Sequence, residues 1–307
     1  MAARWLRSLA AAPLVVGSLL AGAGATALSL TTPSPARALV PYVLIPSGTN
    51  LEGAGLGIAQ AAARLLHLGQ AEDAARLAAL VVQLIPADPR GWVLLAEAQL
   101  RSGQDKAAGA SLAKARELDP GNAAILFAQG SLALKANQPA EAAQLIHQGL
   151  KVDGRNAGAY FDLGNAHILM GHSGEALAAF EKAAGLRKDF WEAINNQALV
   201  LYEQGNSGEA IKRWRRVLSI SPNASEPMLA LAAALNGQEP GNSESLELAH
   251  KALAGEPNYV LANYQKEQLW GSKLRAATAR LLAEPALKAD VERAQANAGS
   301  SSDDAEE

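Results

Sequence analysis

The chain has 307 residues, 49% of them apolar but only 5% aromatic, so it can bury a large core that Ala and Leu rather than rings must fill. A net charge of −3 supplies no basic field of the kind that nucleic acid calls for, which removes nucleic acid from the expected partners. Cys is absent, and with it disulfides, thiolate zinc sites and cysteine nucleophiles.

Residues 1–38 stand apart from the rest. Arg4 and Arg7 precede an uncharged stretch that is apolar and rich in small residues as far as Leu30, and Ala36-Arg37-Ala38 fits a small-x-small cleavage site. The pattern predicts an export signal cut after Ala38. The alternative is an uncleaved membrane anchor, because residues 9–30 match the roughly 20 residues a span needs; Pro13 and the Gly and Ala content weaken such a span. Residues 39–54 read as a linker leading into the first repeat. Gly53 at its end, with Gly55 and Gly57 beyond it, lacks the third spaced glycine of a dinucleotide fingerprint and the Gly-Lys-Ser/Thr ending of a P-loop.

From residue 55 the chain repeats. Gly69, Gly103, Asn137, Gly171 and Gly205 recur every 34 residues, each closing an apolar helix pattern where a left-handed cap would sit. Counting from residues 55, 89, 123, 157 and 191, the eighth position reads Ala62, Ala96, Gly130, Gly164 and Ala198. The twentieth reads Ala74, Ala108, Ala142, Ala176 and Ala210. Side chains this small are expected where the two helices of a repeat approach closely. The twenty-fourth position is bulky in most repeats, through Leu112, Ile146, Phe180 and Trp214, and Pro86, Pro120 and Pro222 end second helices. A sixth unit from Ser225 takes one extra residue before Ala252 and Pro257 restore the register, which gives six repeats over 55–258. Residues 259–298 lose the motif but keep helical character and read as a helical cap over the exposed end of the stack. Residues 299–307 form a short acidic tail, expected to be disordered.

A 34-residue helix-turn-helix period, with small, bulky and proline positions coinciding, resembles the tetratricopeptide repeat (TPR) superfamily. The fold expected is all-α, a right-handed superhelical solenoid of TPR repeats with a C-terminal helical cap. More narrowly, "NNQALVLYEQGNSGEAIKRWRRVLSISPNASEPMLALAAALN" and "KEQLWGSKLRAATARLLAEP" are similar to cyanobacterial TPR proteins with plastid relatives. That resemblance implies a photosynthetic bacterium, so that export means the periplasm or the thylakoid lumen. It brings no catalytic residues and no cofactor.

In such a solenoid the first helices line the inner face, and the second, fifth, ninth and twelfth repeat positions point at a ligand. These supply Val93, Glu97, Leu100, Phe127, Ser131, Leu134, Phe161, Asn165, Ile168, Asn195, Leu199 and Tyr202 as candidate partner-binding residues. Aromatic and aliphatic anchors can bury a partner's apolar side chains, and amides can pair with an extended backbone. A terminal-carboxylate clamp is not expected: Asn165 and Asn196 suit one, but Phe161, Glu226 and Ala230 stand where cations are needed. Lys212, Arg213, Arg215 and Arg216 splay around Trp214 as a basic patch that could meet an anionic lipid or acidic segment; the alternative is a solvated face balanced by Glu203 and Glu209. The five histidines contain no i, i+4 pair and no HExxH, so no metal site is expected, and nothing picks out an acid-base pair of carboxylates. The expectation is a noncatalytic scaffold for a peptide or helix of a partner protein, helping to assemble or maintain an envelope or thylakoid complex. The alternative is a membrane-surface organiser held by the N-terminus or the basic patch.

Overall fold

The computed structural model describes residues 48–298. The signal or anchor, most of the linker and the acidic tail lie outside the described residues. Two compact units meet in sequence at Leu118 and Asp119. The first contains two helix pairs, α1 (Gly48–His67) with α2 (Ala71–Leu84) and α3 (Pro89–Arg101) with α4 (Asp105–Leu118). The second contains four: α5 (Ala123–Lys135) with α6 (Pro139–Val152), α7 (Ala157–Leu169) with α8 (Ser173–Leu186), α9 (Trp191–Glu203) with α10 (Ser207–Ile220), and α11 (Ser225–Gln238) with α12 (Ser243–Gly255). A 3-10 turn (Pro257–Val260), α13 (Ala262–Glu267), α14 (Ser272–Leu282), a second turn (Pro285–Leu287) and α15 (Lys288–Asn297) follow.

Turn chemistry explains the pairing. Gly69, Gly103, Asn137, Gly171 and Gly205 all have positive φ, between 57° and 87°. At each, the next residue's N–H reaches back to the helix, as in Gln138 N to Ala133 O at 2.8 Å and Asn206 N to Leu201 O at 2.8 Å. These bonds satisfy carbonyls that a helix end leaves open and turn the chain for its return. Starts are capped as well: Asp88 accepts from Arg90 N ahead of Pro89, and Asn122, Asn156 and Asn242 accept from the first turns of α5, α7 and α12.

The small residues of the repeat sit where bulk would collide. A Cβ on Gly164 would stand 2.4 Å from the Phe180 ring, and one on Gly130 would stand 2.5 Å from Ile146. The eighth position is therefore small because the twenty-fourth is large, and Phe180, Ile146 and Trp214 are fully buried in return. In the sixth repeat the extra residue shifts the twentieth position to Ser245, which is wholly buried and hands its hydroxyl proton to Ala232 O at 2.8 Å. The linker ends earlier than its glycines imply. Gly48 already begins α1, and Gly55 is buried against Ile85, so packing on α2 outweighs glycine's cost of about 1 kcal/mol each in a helix.

The C-terminal segment folds back onto first helices. α14 packs on α11 and α9, burying Leu274, Ala277 and Leu281, while α15 and the 3-10 turn at Pro257 cover α12. Glu203, the last residue of α9, accepts from the Lys273 and Leu274 amides at 3.1 and 2.9 Å, so a carboxylate caps the positive end of α14. Trp270 donates to Glu226 at 3.0 Å, and Asn236 donates to Glu284 at 3.1 Å.

Candidate functional site

In the second unit the first helices α5, α7 and α9 are joined by a polar thread made of two separate links. Ser131 on α5 donates to Asp162 on α7 at 2.5 Å, and Asn196 on α9 donates to Asn165 on α7 at 3.1 Å. Both steps join residues 31 apart, from a ninth position to the sixth position of the following repeat. The thread continues inward: Asn195 donates to Asn196, and its own carbonyl accepts from Trp214 at 3.0 Å. Beside it lie two aromatic anchors. Phe127 rests over Gly149, where a Cβ would come within 2.5 Å of the ring. Phe161 is tilted against Phe180 and Phe190 at centroid distances of 5.7 and 5.1 Å, and Arg187 stacks on Phe190. Phe127, Ser131, Phe161, Asp162, Glu192 and Asn196 are all half-buried, and Gly158, one turn before Phe161 and Asp162 on α7, is exposed.

This geometry sorts the candidate residues. Phe127, Ser131, Phe161, Leu134 and Ile168 lie on the first-helix face of the second unit with partial exposure. Asn165, Asn195 and Leu199 are corrected to interior residues, at 3%, 1% and 5% exposure. Asn165 and Asn195 spend their amides inside the thread, and Leu199 lies in the core that α11 and α14 close. Tyr202 is half-buried against Trp214 and lies near Arg280 of the fold-back. Burial pushes its hydroxyl pKa up. Val93 and Glu97 belong to α3 of the first unit, where Val93 is half-buried and Glu97 is exposed and paired with Arg101 at 2.7 Å.

Asp162 was missed by sequence reasoning. It stands at the sixth repeat position, a column that reads Gln60, Leu94, Ala128, Asp162, Asn196 and Ala230, so the one acid in that column was the available signal. Burial pushes its carboxyl up to about 6, opposed only by the Ser131 hydrogen bond. Burial also raises Glu192, which Arg187 partly offsets. Burial raises Glu226 too, although the hydrogen bond from Trp270 opposes the shift.

The basic patch is largely answered by its surroundings. Lys212 pairs with Glu209 at 2.6 Å, Arg215 pairs with Glu244 at 2.8 Å, Arg216 reaches Lys188 O at 3.4 Å, and Arg213 is half-buried. Three histidines that look scattered in sequence come together, His167 lying 6.3 Å from His147 and 5.9 Å from His172 between ring centroids. Among the described residues, however, no group of His and acidic side chains is placed to hold a metal ion.

Comparison with known proteins places this geometry. The tetratricopeptide repeat model matches residues 127–189 and 170–225, the stretch that carries the polar thread. These are tetratricopeptide repeats. TPR folds recur among solved structures: a chain of the APC/C hetero-tetramer Cut9–Hcn1 (TM-score 0.61, 16% identity, 77% of this chain and 43% of that one) and pilF of Pseudomonas aeruginosa (0.58, 17%, 80% and 99%). PilW, a widely conserved type IV pilus biogenesis factor, is similar at 0.56 and 18%, over 73% of this chain and 97% of that one. Among curated proteins, the human mitochondrial import receptor subunit TOM70 is 27% identical over 158 residues. That match takes in 48% of this chain, which spans about a quarter of TOM70's length, 26%.

Proposed function

We propose that this TPR protein is a noncatalytic scaffold that holds a peptide or helix of a partner protein on the first-helix face of α5, α7 and α9. The observation that carries this reading is the contrast between two parts of that face. From α9 to α11 the chain's own α14 covers it, whereas on α5 and α7 Phe127, Phe161, Ser131 and Asp162 are only half-buried and Gly158, one turn before Phe161 and Asp162, is exposed. Rings supply area at low entropic cost, and a pre-bonded polar thread loses little further freedom when a ligand pairs with it. A receptor subunit among the relatives fits the same reading.

The N-terminal charge and cleavage pattern supports export to a periplasm or thylakoid lumen, and the two segments similar to cyanobacterial and plastid proteins support a role in assembling or maintaining an envelope or thylakoid complex. No helix among the described residues is long and apolar enough to cross a membrane. With Lys212 and Arg215 paired to neighbouring acids, nothing favours the membrane-surface alternative through the basic patch.

The test uses Gly158, whose added Cβ would meet only the Asn156 side chain, at 3.4 Å. Gly158→Trp fills the face without entering the core. Crosslinked capture from the native cells, read by mass spectrometry, should lose a short set of proteins with this variant while helicity is unchanged. An unchanged set would end the reading.

A further inference from the structure

We infer that Asp162 is the specificity residue of this face and that the bound segment presents a lysine or arginine to it. The inference rests on the reading of α5, α7 and α9 as a peptide site and adds the chemistry of the ligand.

Three groups converge there. Ser131 follows Phe127 by one turn of α5, so ring and hydroxyl lie on the same side of that helix. The Ser131 hydroxyl donates to Oδ2 of Asp162 at 2.5 Å, which ties the carboxylate to the turn of α5 that follows Phe127. Phe127 is held in place by Gly149 beneath it.

The other shielded carboxylates of the first helices are answered within the chain. Glu226 receives the Trp270 N–H at 3.0 Å, Glu192 feels Arg187, and Glu203 caps α14, with Lys273 Nζ also bonding the Glu203 carbonyl at 2.6 Å. Asp162 has Ser131 alone, and among the described residues no lysine or arginine forms an ion pair with it. A half-buried acid tied to the turn of α5 that follows Phe127 suits a side chain with an aliphatic stem and a cationic head, the stem passing over Phe127 and the head reaching Asp162. An acidic or neutral group in that place would leave the carboxylate uncompensated, which makes the contact selective.

Random twelve-residue peptides displayed on phage, selected on the whole chain, test this. Selection on the wild type should fix Lys or Arg at one position, and selection on Asp162→Asn should not. By fluorescence anisotropy, the Kd of the selected peptide should rise at least about 30-fold with Asp162→Asn. Replacing the peptide's cation by norleucine should weaken binding to the same degree, and the two changes together should cost little more than either. Asp162→Asn keeps an acceptor for Ser131 and removes a shielded charge, so the variant stays folded by circular dichroism; Glu181→Gln, an exposed acid on α8, leaves Kd unchanged. Peptides that bind without a fixed basic residue, or that bind Asp162→Asn equally, overturn the cation assignment and leave the peptide site standing. Peptides that bind Gly158→Trp undiminished, or a selection that enriches nothing, overturn the peptide site and this inference with it.

Discussion

Two side chains on α7 show how much one position can decide. Asp162 is protonated more readily in the folded chain than in the unfolded one, because burial raises its pKa to about 6 from an ordinary value near 3.8. Its contribution to stability is therefore fully present below about pH 4 and is lost as pH rises through about 6. Wild type should lose on the order of 2 kcal/mol relative to Asp162→Asn between pH 4 and pH 7, measured by urea unfolding of both chains. Gly164 is the complementary case. Ala there would gain about 1 kcal/mol of helix propensity but drive its Cβ to 2.4 Å from the fully buried Phe180 ring. The net expectation is a loss of about 1–3 kcal/mol. Gly185→Ala on α8, with nothing within 4 Å, should be neutral or stabilising by up to about 1 kcal/mol in the same titration.

At the scale of elements, the repeat helices were legible because their constraints repeat. A left-handed cap every 34 residues and a small residue facing a large one leave a periodic trace, and even the slip to Ser245 could be followed. The seat of α14 leaves no such trace. It depends on Glu203 meeting residues 70 and 71 positions later and on Glu226 meeting Trp270, single contacts between unlike segments. For that reason Leu199 and Asn195 read as groove residues from their register, although Leu199 lies in the core that α11 and the fold-back close and Asn195 is buried with its carbonyl on Trp214. Asp162 was hidden for a different reason: periodic reasoning reports the typical residue of a column, and a site lies in the atypical one. Glu203→Ala should remove the cap of α14 and cost about 1 kcal/mol. Hydrogen exchange should localise that loss, with faster exchange in α14 and little change in α5 and α6; equal acceleration everywhere would mean that Glu203 does not act through the fold-back.

Across the molecule, the two units differ in what they bury. In the second, Trp214, Phe180, Ile146, Ile194 and Leu229 are fully buried, and Trp270 and Tyr259 stack at 5.5 Å under the fold-back. The first is built mainly on alanines, with Val81 and Leu112 its largest fully buried side chains, and Leu56, Leu68 and Leu80 are exposed. Each alanine buries far less apolar area than a ring or a leucine, at roughly 25 cal/mol per Å², so the first unit has less to set against the entropy of ordering its helices. In a repeat stack, where stability is close to a sum of local terms, such a difference appears as local opening rather than one cooperative transition. Backbone amides of α1 to α4 should therefore exchange at least about tenfold faster than those of α7 to α11 in native buffer, read helix by helix by mass spectrometry. Leu68 and Leu80 are too exposed to recover the difference, so changing either to Lys should leave the pattern as it is. Ala62→Leu, which forces a large side chain into the closed eighth position of the first repeat, should accelerate α1 and α2 and spare α7 to α11. Uniform exchange across both units would mean that the alanine-built pairs are held by something other than their own cores.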